Sequence, residues 1–131
     1  MPADLTLDLS ATLSELQKCL DTLEESCRRW NLPHETIARL RIVTEELFSN
    51  TIKYGYGGEC ARPVRLRVSA TPHVELVYED QAPRFDPTAW RGAPGTEPEA
   101  GGRGIALVLG LAQSVQYERL PGGNRVTLRF R

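Results

Sequence analysis

The chain has 131 residues, of which 40% are hydrophobic and 25% charged, and its formal net charge is −1. This length and composition predict a single domain over residues 1–131 with enough apolar residues for its own core. The near-zero charge argues against a nucleic-acid partner, and no segment is apolar over a length that spans a membrane. The N-terminus has no secretory signal pattern, and the three cysteines lack Cys-x-x-Cys spacing, so we expect a cytoplasmic protein with free thiols.

The first half of the sequence predicts one strand followed by two helices. Residues 5–9 alternate between apolar and polar side chains, as in a half-buried strand. Apolar residues then recur at every third or fourth position over residues 12–30, and again from Pro33 to about residue 54. This is the helical period, and Pro33 suits the first turn of the second helix.

The second half predicts two hairpins with a loop and a helix between them. Residues 64–70 and 73–79 alternate like strands, joined by a turn at Thr71 and Pro72. A segment rich in proline and glycine, about residues 84–101, has the composition of a lid loop, and a helix is predicted over residues 103–113. Strands at 115–119 and 126–130 then flank a turn at 121–124. This order predicts an α+β two-layer sandwich, with helices covering one face of a mixed, mostly antiparallel sheet.

The second predicted helix carries Glu46 and Asn50, which are four residues apart and therefore lie on one face. A carboxylate at such a place is a candidate base, and a carboxamide oxygen is a ligand that magnesium accepts. A solvated helix face explains the same two residues. The pair alone does not decide between these interpretations.

Two later features favour a nucleotide site. Asp80 ends a predicted strand, and a carboxylate there can accept a hydrogen bond from the amino group of adenine, although a turn-initiating Asp is the alternative. Gly101, Gly102 and Gly104 then precede an apolar helix, where backbone N–H groups and the helix dipole favour a phosphate. A flexible loop is the alternative there. The pattern matches neither a P-loop nor a dinucleotide-binding glycine motif.

Taken in order, Glu46-x-x-x-Asn50, Asp80 and the run from Gly101 to Leu107 resemble the N box and the glycine boxes of the GHKL ATPase superfamily. Within it, the chain is most similar to bacterial anti-sigma factor serine/threonine kinases, which are histidine-kinase-like ATPase domains with the Bergerat fold. The likeness covers nearly the whole chain. It implies ATP and Mg²⁺ as cofactors, with Glu46 activating the attacking hydroxyl, Asn50 coordinating the metal and Asp80 binding adenine.

The resemblance also implies further contacts with the nucleotide. Gly101, Gly102 and Gly104 are expected to contact its phosphates, and Arg103 is expected either to join them or to face solvent. The resemblance places Thr127 in the final strand near adenine, although a β-branched strand residue is an equal explanation.

The sequence departs from the family pattern after its aspartate, where Asp80-Gln81-Ala82 replaces the usual Asp-x-Gly. The methyl group of Ala82 is expected to interfere if the backbone there has a positive φ or if adenine packs closely on it. Ala106 likewise stands where the third glycine of the glycine box is usual. Nucleotide affinity is the property that these two changes put in doubt.

The resemblance implies two partners, a STAS-domain anti-sigma factor antagonist as the phosphate acceptor and a sigma factor as the alternative partner. Members of the family also tend to form homodimers. Two other functions stay open at this point. One is a non-catalytic partner-binding module with a degenerate nucleotide site, and the other is a detached histidine-kinase catalytic domain that acts on a histidine of another protein.

Overall fold

The computed structural model describes residues 3–89 and 102–131. Its helices and strands, in chain order, are β1 Asp4–Ser10, α1 Leu13–Arg29, α2 His34–Asn50, β2 Pro63–Ser69, β3 Val74–Asp80, α3 Gly102–Leu111, β4 Ser114–Leu120 and β5 Gly123–Phe130. A π-helical turn, Thr51–Gly55, continues α2, and a short 3₁₀ helix, Pro87–Ala89, follows β3. The predicted second helix therefore corresponds to α2 together with the π-helical turn.

The five strands form one sheet in the order β1-β2-β3-β5-β4. Every pairing between these described strands is antiparallel, so the parallel pairing that the predicted mixed sheet allowed does not occur among them. Short connections join β2 to β3 and β4 to β5, and such hairpins are antiparallel by geometry. The predicted α+β architecture is confirmed.

Alternation along each strand gives the sheet one apolar and one charged face. On β2, Val64, Leu66 and Val68 are buried, whereas the residues between them are exposed. The opposite face carries ion pairs such as Arg65 with Asp8. One face thus belongs to the core beneath the helices, and the other is polar.

Helix α2 packs against both α1 and α3 and supplies much of the core, including Leu40, Val43, Leu47 and Phe48. It follows α1 after a short connection in which Asn31 has a φ of 59°. Because α2 is held from two sides, its polar residues have fixed positions relative to the sheet. Among the helices in residues 3–89 and 102–131, none is both long and apolar enough to cross a membrane.

Candidate functional site

The end of α2 widens into a π-helical turn directly after Asn50. The backbone N–H of Tyr56 donates to the carbonyl oxygen of Thr51 over 2.7 Å, five residues back along the chain. Single π-helical turns of this kind are frequent at functional sites, because they redirect the side chains of a helix. The turn borders the end of β3.

A cavity of about 140 Å³ lies between this turn, the end of β3 and the start of β5. Three of the predicted site residues, Asn50, Asp80 and Ala82, line it together. The structure therefore brings a residue of α2 and the carboxylate at the end of β3 to one concave surface. The lining residues that were not predicted as site residues include Thr51, Tyr78 and Asn124.

The carboxylate of Asp80 is held by three donors from three parts of the chain. Its Oδ1 accepts hydrogen bonds from the Asn124 side-chain amide at 2.8 Å and from the backbone N–H of Ala82 at 3.2 Å. Its Oδ2 accepts one from the Thr51 hydroxyl at 2.8 Å. Each carboxylate oxygen has two acceptor positions, and the described residues use only one of the two on Oδ2, so the other is available to a ligand.

Asn124 fixes the segment that follows Asp80. Besides its bond to Asp80, its amide group donates to the carbonyl oxygens of Ala82 and Pro83, at 3.2 and 3.0 Å. Its Oδ1 accepts from the backbone N–H of Phe85 at 3.1 Å. The turn predicted at 121–124 included Asn124, but this residue lies inside β5, paired with Asp80.

The backbone of Ala82 does not have the positive φ with which its methyl group would conflict. Among the described residues, Asn31 is the one non-glycine residue with a positive φ, so the backbone of Ala82 is not left-handed. Its methyl group faces Gly55, where an added Cβ would lie 2.9 Å from the Ala82 Cβ. Gly55 thus leaves the space that Ala82 fills, and a larger residue at position 55 would be crowded.

Glu46 lies against the first turn of α3. A Cβ added to Gly104 would overlap Oε2 of Glu46, so the glycine permits the carboxylate to approach the helix backbone. The predicted base and one residue of the predicted glycine box are therefore adjacent. Gly101 lies outside the described residues, as does the side chain of Arg103.

Thr127 is not part of this group. It is paired with Val77 and Gln116 in the middle of the sheet, and its neighbours along β5, Val126 and Leu128, point into the core. Because side chains alternate along a strand, Thr127 faces away from the cavity, on the charged face of the sheet. The resemblance placed its hydroxyl near adenine, but the structure does not bring Thr127 to the cavity at Asp80, and Asn124 is the residue of β5 that bonds this carboxylate.

Residues 9–130 match the model of the histidine kinase-like ATPase domain. The chain belongs to this family. No curated protein sequence is similar enough to count as a match. The resemblance drawn from Glu46, Asn50, Asp80 and the glycine box is confirmed at the level of the family.

Two solved structures share the fold of this histidine kinase-like ATPase domain. One contains the RsbU and RsbW domains of Rv1364c from Mycobacterium tuberculosis, with 18% identity and a TM-score of 0.69 over 98% of this chain and 32% of that one. The other is the SiaB–SiaC complex from Pseudomonas aeruginosa, with 11% identity and a TM-score of 0.64 over 96% of this chain and 88% of that one. The chain thus spans about a third of the length of the first.

Proposed function

We propose that this histidine kinase-like ATPase domain is an ATP-dependent serine/threonine protein kinase that acts as an anti-sigma factor. The observation that carries the proposal is the arrangement along α2. Glu46 lies against the start of α3, and Asn50, one turn further on, shares a cavity with Asp80. The arrangement thus offers a candidate base in Glu46, a candidate metal ligand in Asn50 and an acceptor for a nucleobase in Asp80.

The residues at this surface fit a magnesium–nucleotide substrate. The free acceptor position of Asp80 suits the amino group of adenine, and the start of α3 offers backbone N–H groups and a positive dipole to phosphates. The carboxamide oxygen of Asn50 is a hard ligand of the kind that Mg²⁺ takes in proteins. When bound, Mg²⁺ neutralises charge on the phosphate groups during transfer.

In the proposed reaction, Glu46 accepts the proton of a serine or threonine hydroxyl. The hydroxyl oxygen forms a bond to the γ-phosphorus as the bond between that phosphorus and the leaving oxygen of ADP breaks. A positioned base of this kind contributes about 10²–10⁴-fold to a rate. Glu46 is half-buried, and its neighbour Glu45 is exposed, so position 46 is the one turned toward α3.

We further propose a STAS-domain anti-sigma factor antagonist as the phosphate acceptor and a sigma factor as the alternative partner. The motif resemblance supports both. One of the two similar structures is itself a complex of two proteins, which agrees with a domain that acts on a protein partner. Such partners place the protein in the cytoplasm, and a homodimer is part of the same proposal.

The test is a calorimetric titration with a non-hydrolysable ATP analogue and Mg²⁺. We expect the unsubstituted protein to bind, and Asp80→Asn to weaken binding at least about tenfold, since a hydrogen bond to a charged group contributes roughly 1.5–3 kcal/mol. Asn50→Ala is expected either to abolish nucleotide binding or to make it independent of Mg²⁺. Glu79→Gln removes a charge from the residue before Asp80, on the other face of β3, and serves as the matched control.

No heat at millimolar nucleotide, from protein shown to be folded, would contradict the kinase and favour a partner-binding module. The backbone at Ala82 supports a functional site, because its φ is not the left-handed one that a methyl group would strain. A phosphorylated product that survives acid identifies a serine or threonine kinase. An acid-labile product would instead identify a histidine kinase.

Gly104→Ala is expected to slow phosphoryl transfer about tenfold without lowering stability. The added methyl group displaces the end of the Glu46 side chain, and a 1 Å misplacement of a reacting group costs up to roughly 100-fold. Alanine is the better helix former by about 1 kcal/mol, so the melting temperature is expected to hold or rise. Gly110→Ala, in the same helix but in open space, is the control and is expected to leave the rate unchanged.

A further inference from the structure

A chain of three hydrogen-bonded side chains ends at the Asp80 carboxylate. Tyr78 lies two residues before Asp80 on β3 and is buried, at 3% exposure. Its Oη is 2.6 Å from Oγ1 of Thr51, which in turn is 2.8 Å from Oδ2 of Asp80. Thr51 is also 3% exposed. The chain therefore connects a buried phenol to the oxygen of Asp80 that keeps an acceptor position.

The direction of these hydrogen bonds follows from counting hydrogens. Each hydroxyl has one, and Thr51 has two other acceptors nearby, Oδ2 of Asp80 and, at 3.1 Å, the carbonyl oxygen of Leu47. If Thr51 donated to Tyr78, the Tyr78 hydrogen would lack an acceptor among the described residues, which is costly for a buried donor. Tyr78 therefore donates to Thr51, and Thr51 donates to the shorter, charged contact with Asp80.

Tyr78 is a hydrogen-bond donor at neutral pH. Burial raises the pKa of its phenol well above the ordinary value, and the hydrogen bond with Thr51 counteracts only part of that effect. The phenol thus keeps its hydrogen. Chains of hydrogen bonds in a dry interior also reinforce one another, because each bond polarises the next.

We infer that Tyr78 is a positioning residue for nucleotide recognition, which acts through Thr51 to hold Oδ2 of Asp80 where the amino group of adenine binds. The inference rests on the proposed function and deepens it. Neither Tyr78 nor Thr51 belongs to the Glu46, Asn50, Asp80 and glycine-box pattern. The inference assigns both residues to the recognition of the base, rather than to packing alone.

The experiment compares two nucleotides that differ at the group Asp80 is proposed to bind. Mg²⁺–ATP and the triphosphate of purine riboside, whose base lacks the 6-amino group, are titrated into the unsubstituted protein, Thr51→Val and Tyr78→Phe. We expect Thr51→Val to lower ATP affinity about tenfold and Tyr78→Phe by about threefold or more, the scale of one lost hydrogen bond. The affinity for the purine riboside analogue is expected to change less than about twofold.

Thr36→Val is the matched control. Thr36 lies on α2 and, like Thr51, is buried. Its hydroxyl donates to the carbonyl oxygen of Arg131 at 3.1 Å, but it is absent from the cavity lining. The substitution is expected to lower stability without changing either affinity.

Three results would overturn the inference. Unchanged ATP affinity in both variants would show that the chain of hydrogen bonds does not position Asp80, and equal losses for both nucleotides would show a structural role. Either result leaves the proposed function standing. No binding of ATP by the unsubstituted, folded protein would remove the proposed function and this inference together, so the two failures are distinguishable.

Discussion

Glu46→Gln is expected to bind Mg²⁺–ATP like the unsubstituted protein and to transfer phosphate about 10²–10⁴-fold more slowly. The carboxamide keeps the shape of the side chain beside Gly104 but does not accept a proton at neutral pH. In the proposed function, binding relies on Asp80 and Asn50, which the substitution does not touch. The loss therefore falls on the rate of the chemical step, measured as single-turnover transfer from labelled ATP to the acceptor protein.

Glu45→Gln provides the matched control for this measurement. It makes the same chemical change one residue earlier, on an exposed side chain of α2. We expect the rate to stay within about twofold, because a change at an exposed charge is screened by solvent and salt. Equal losses in the two variants would show that charge on α2 matters and that Glu46 is not the base. A Glu46→Gln variant with full activity would contradict the proposed mechanism outright.

The helices and strands were predictable because their periods are strong. The apolar repeat in α1 and α2 and the alternation on β2 depend on local spacing, which the sequence displays directly. The position of Asp80 was also predictable, since prolines follow it and a sheet cannot continue through them. The π-helical turn was not predictable from the sequence. A hydrogen bond between residues five positions apart leaves no periodic pattern of apolar residues, and the helical pattern continues to Tyr54.

The error at Thr127 has a simple physical cause. Side chains of a strand alternate between faces, so residues an even number apart share a face. Val126, Leu128 and Phe130 are apolar and buried, which places Asn124 on the core side and Thr127 on the other. Applied to the sequence, this rule excludes Thr127 and points to Asn124. The sequence signal for this site residue was a polar side chain, that of Asn124, at a position that the alternation assigns to the apolar face.

The same alternation assigns Tyr78 to the inner face of the sheet but does not indicate the positioning role proposed for it. Leu76, Tyr78 and Asp80 share the inner face of β3, and a tyrosine there reads as a core residue. Its hydrogen bond to Thr51 depends on how α2 approaches the sheet, which is a tertiary contact between residues 27 positions apart. Local patterns do not encode such a contact, so the pair becomes visible only in the folded structure.

Asn124→Ala is expected to lower the free energy of unfolding by about 3 kcal/mol or more. It removes the side chain that bonds Asp80, Ala82, Pro83 and Phe85 at once. Asn124 is 5% exposed, so water does not readily replace these bonds, and each unpaired buried group costs roughly 1–3 kcal/mol. Thermal and urea unfolding measure the loss, which we expect to lower the melting temperature by about 10 °C.

The consequence for the site follows from the same contacts. Without Asn124, Oδ1 of Asp80 loses one of its two donors and the segment after β3 loses its main attachment to β5, so nucleotide affinity is expected to fall together with stability.

Asn124→Asp separates the two functions of the carboxamide, because it keeps an acceptor for the Phe85 N–H but replaces the donor with a second carboxylate beside Asp80. We expect it to be at least as destabilised as Asn124→Ala, since like charges in contact repel. Gln116→Ala, on the exposed part of β4, is expected to change stability by less than about 0.5 kcal/mol. Stability within 1 kcal/mol of the unsubstituted protein in both Asn124 variants would mean that the segment after Asp80 is held by other contacts, such as the bond from Arg119 to the Ala82 carbonyl oxygen.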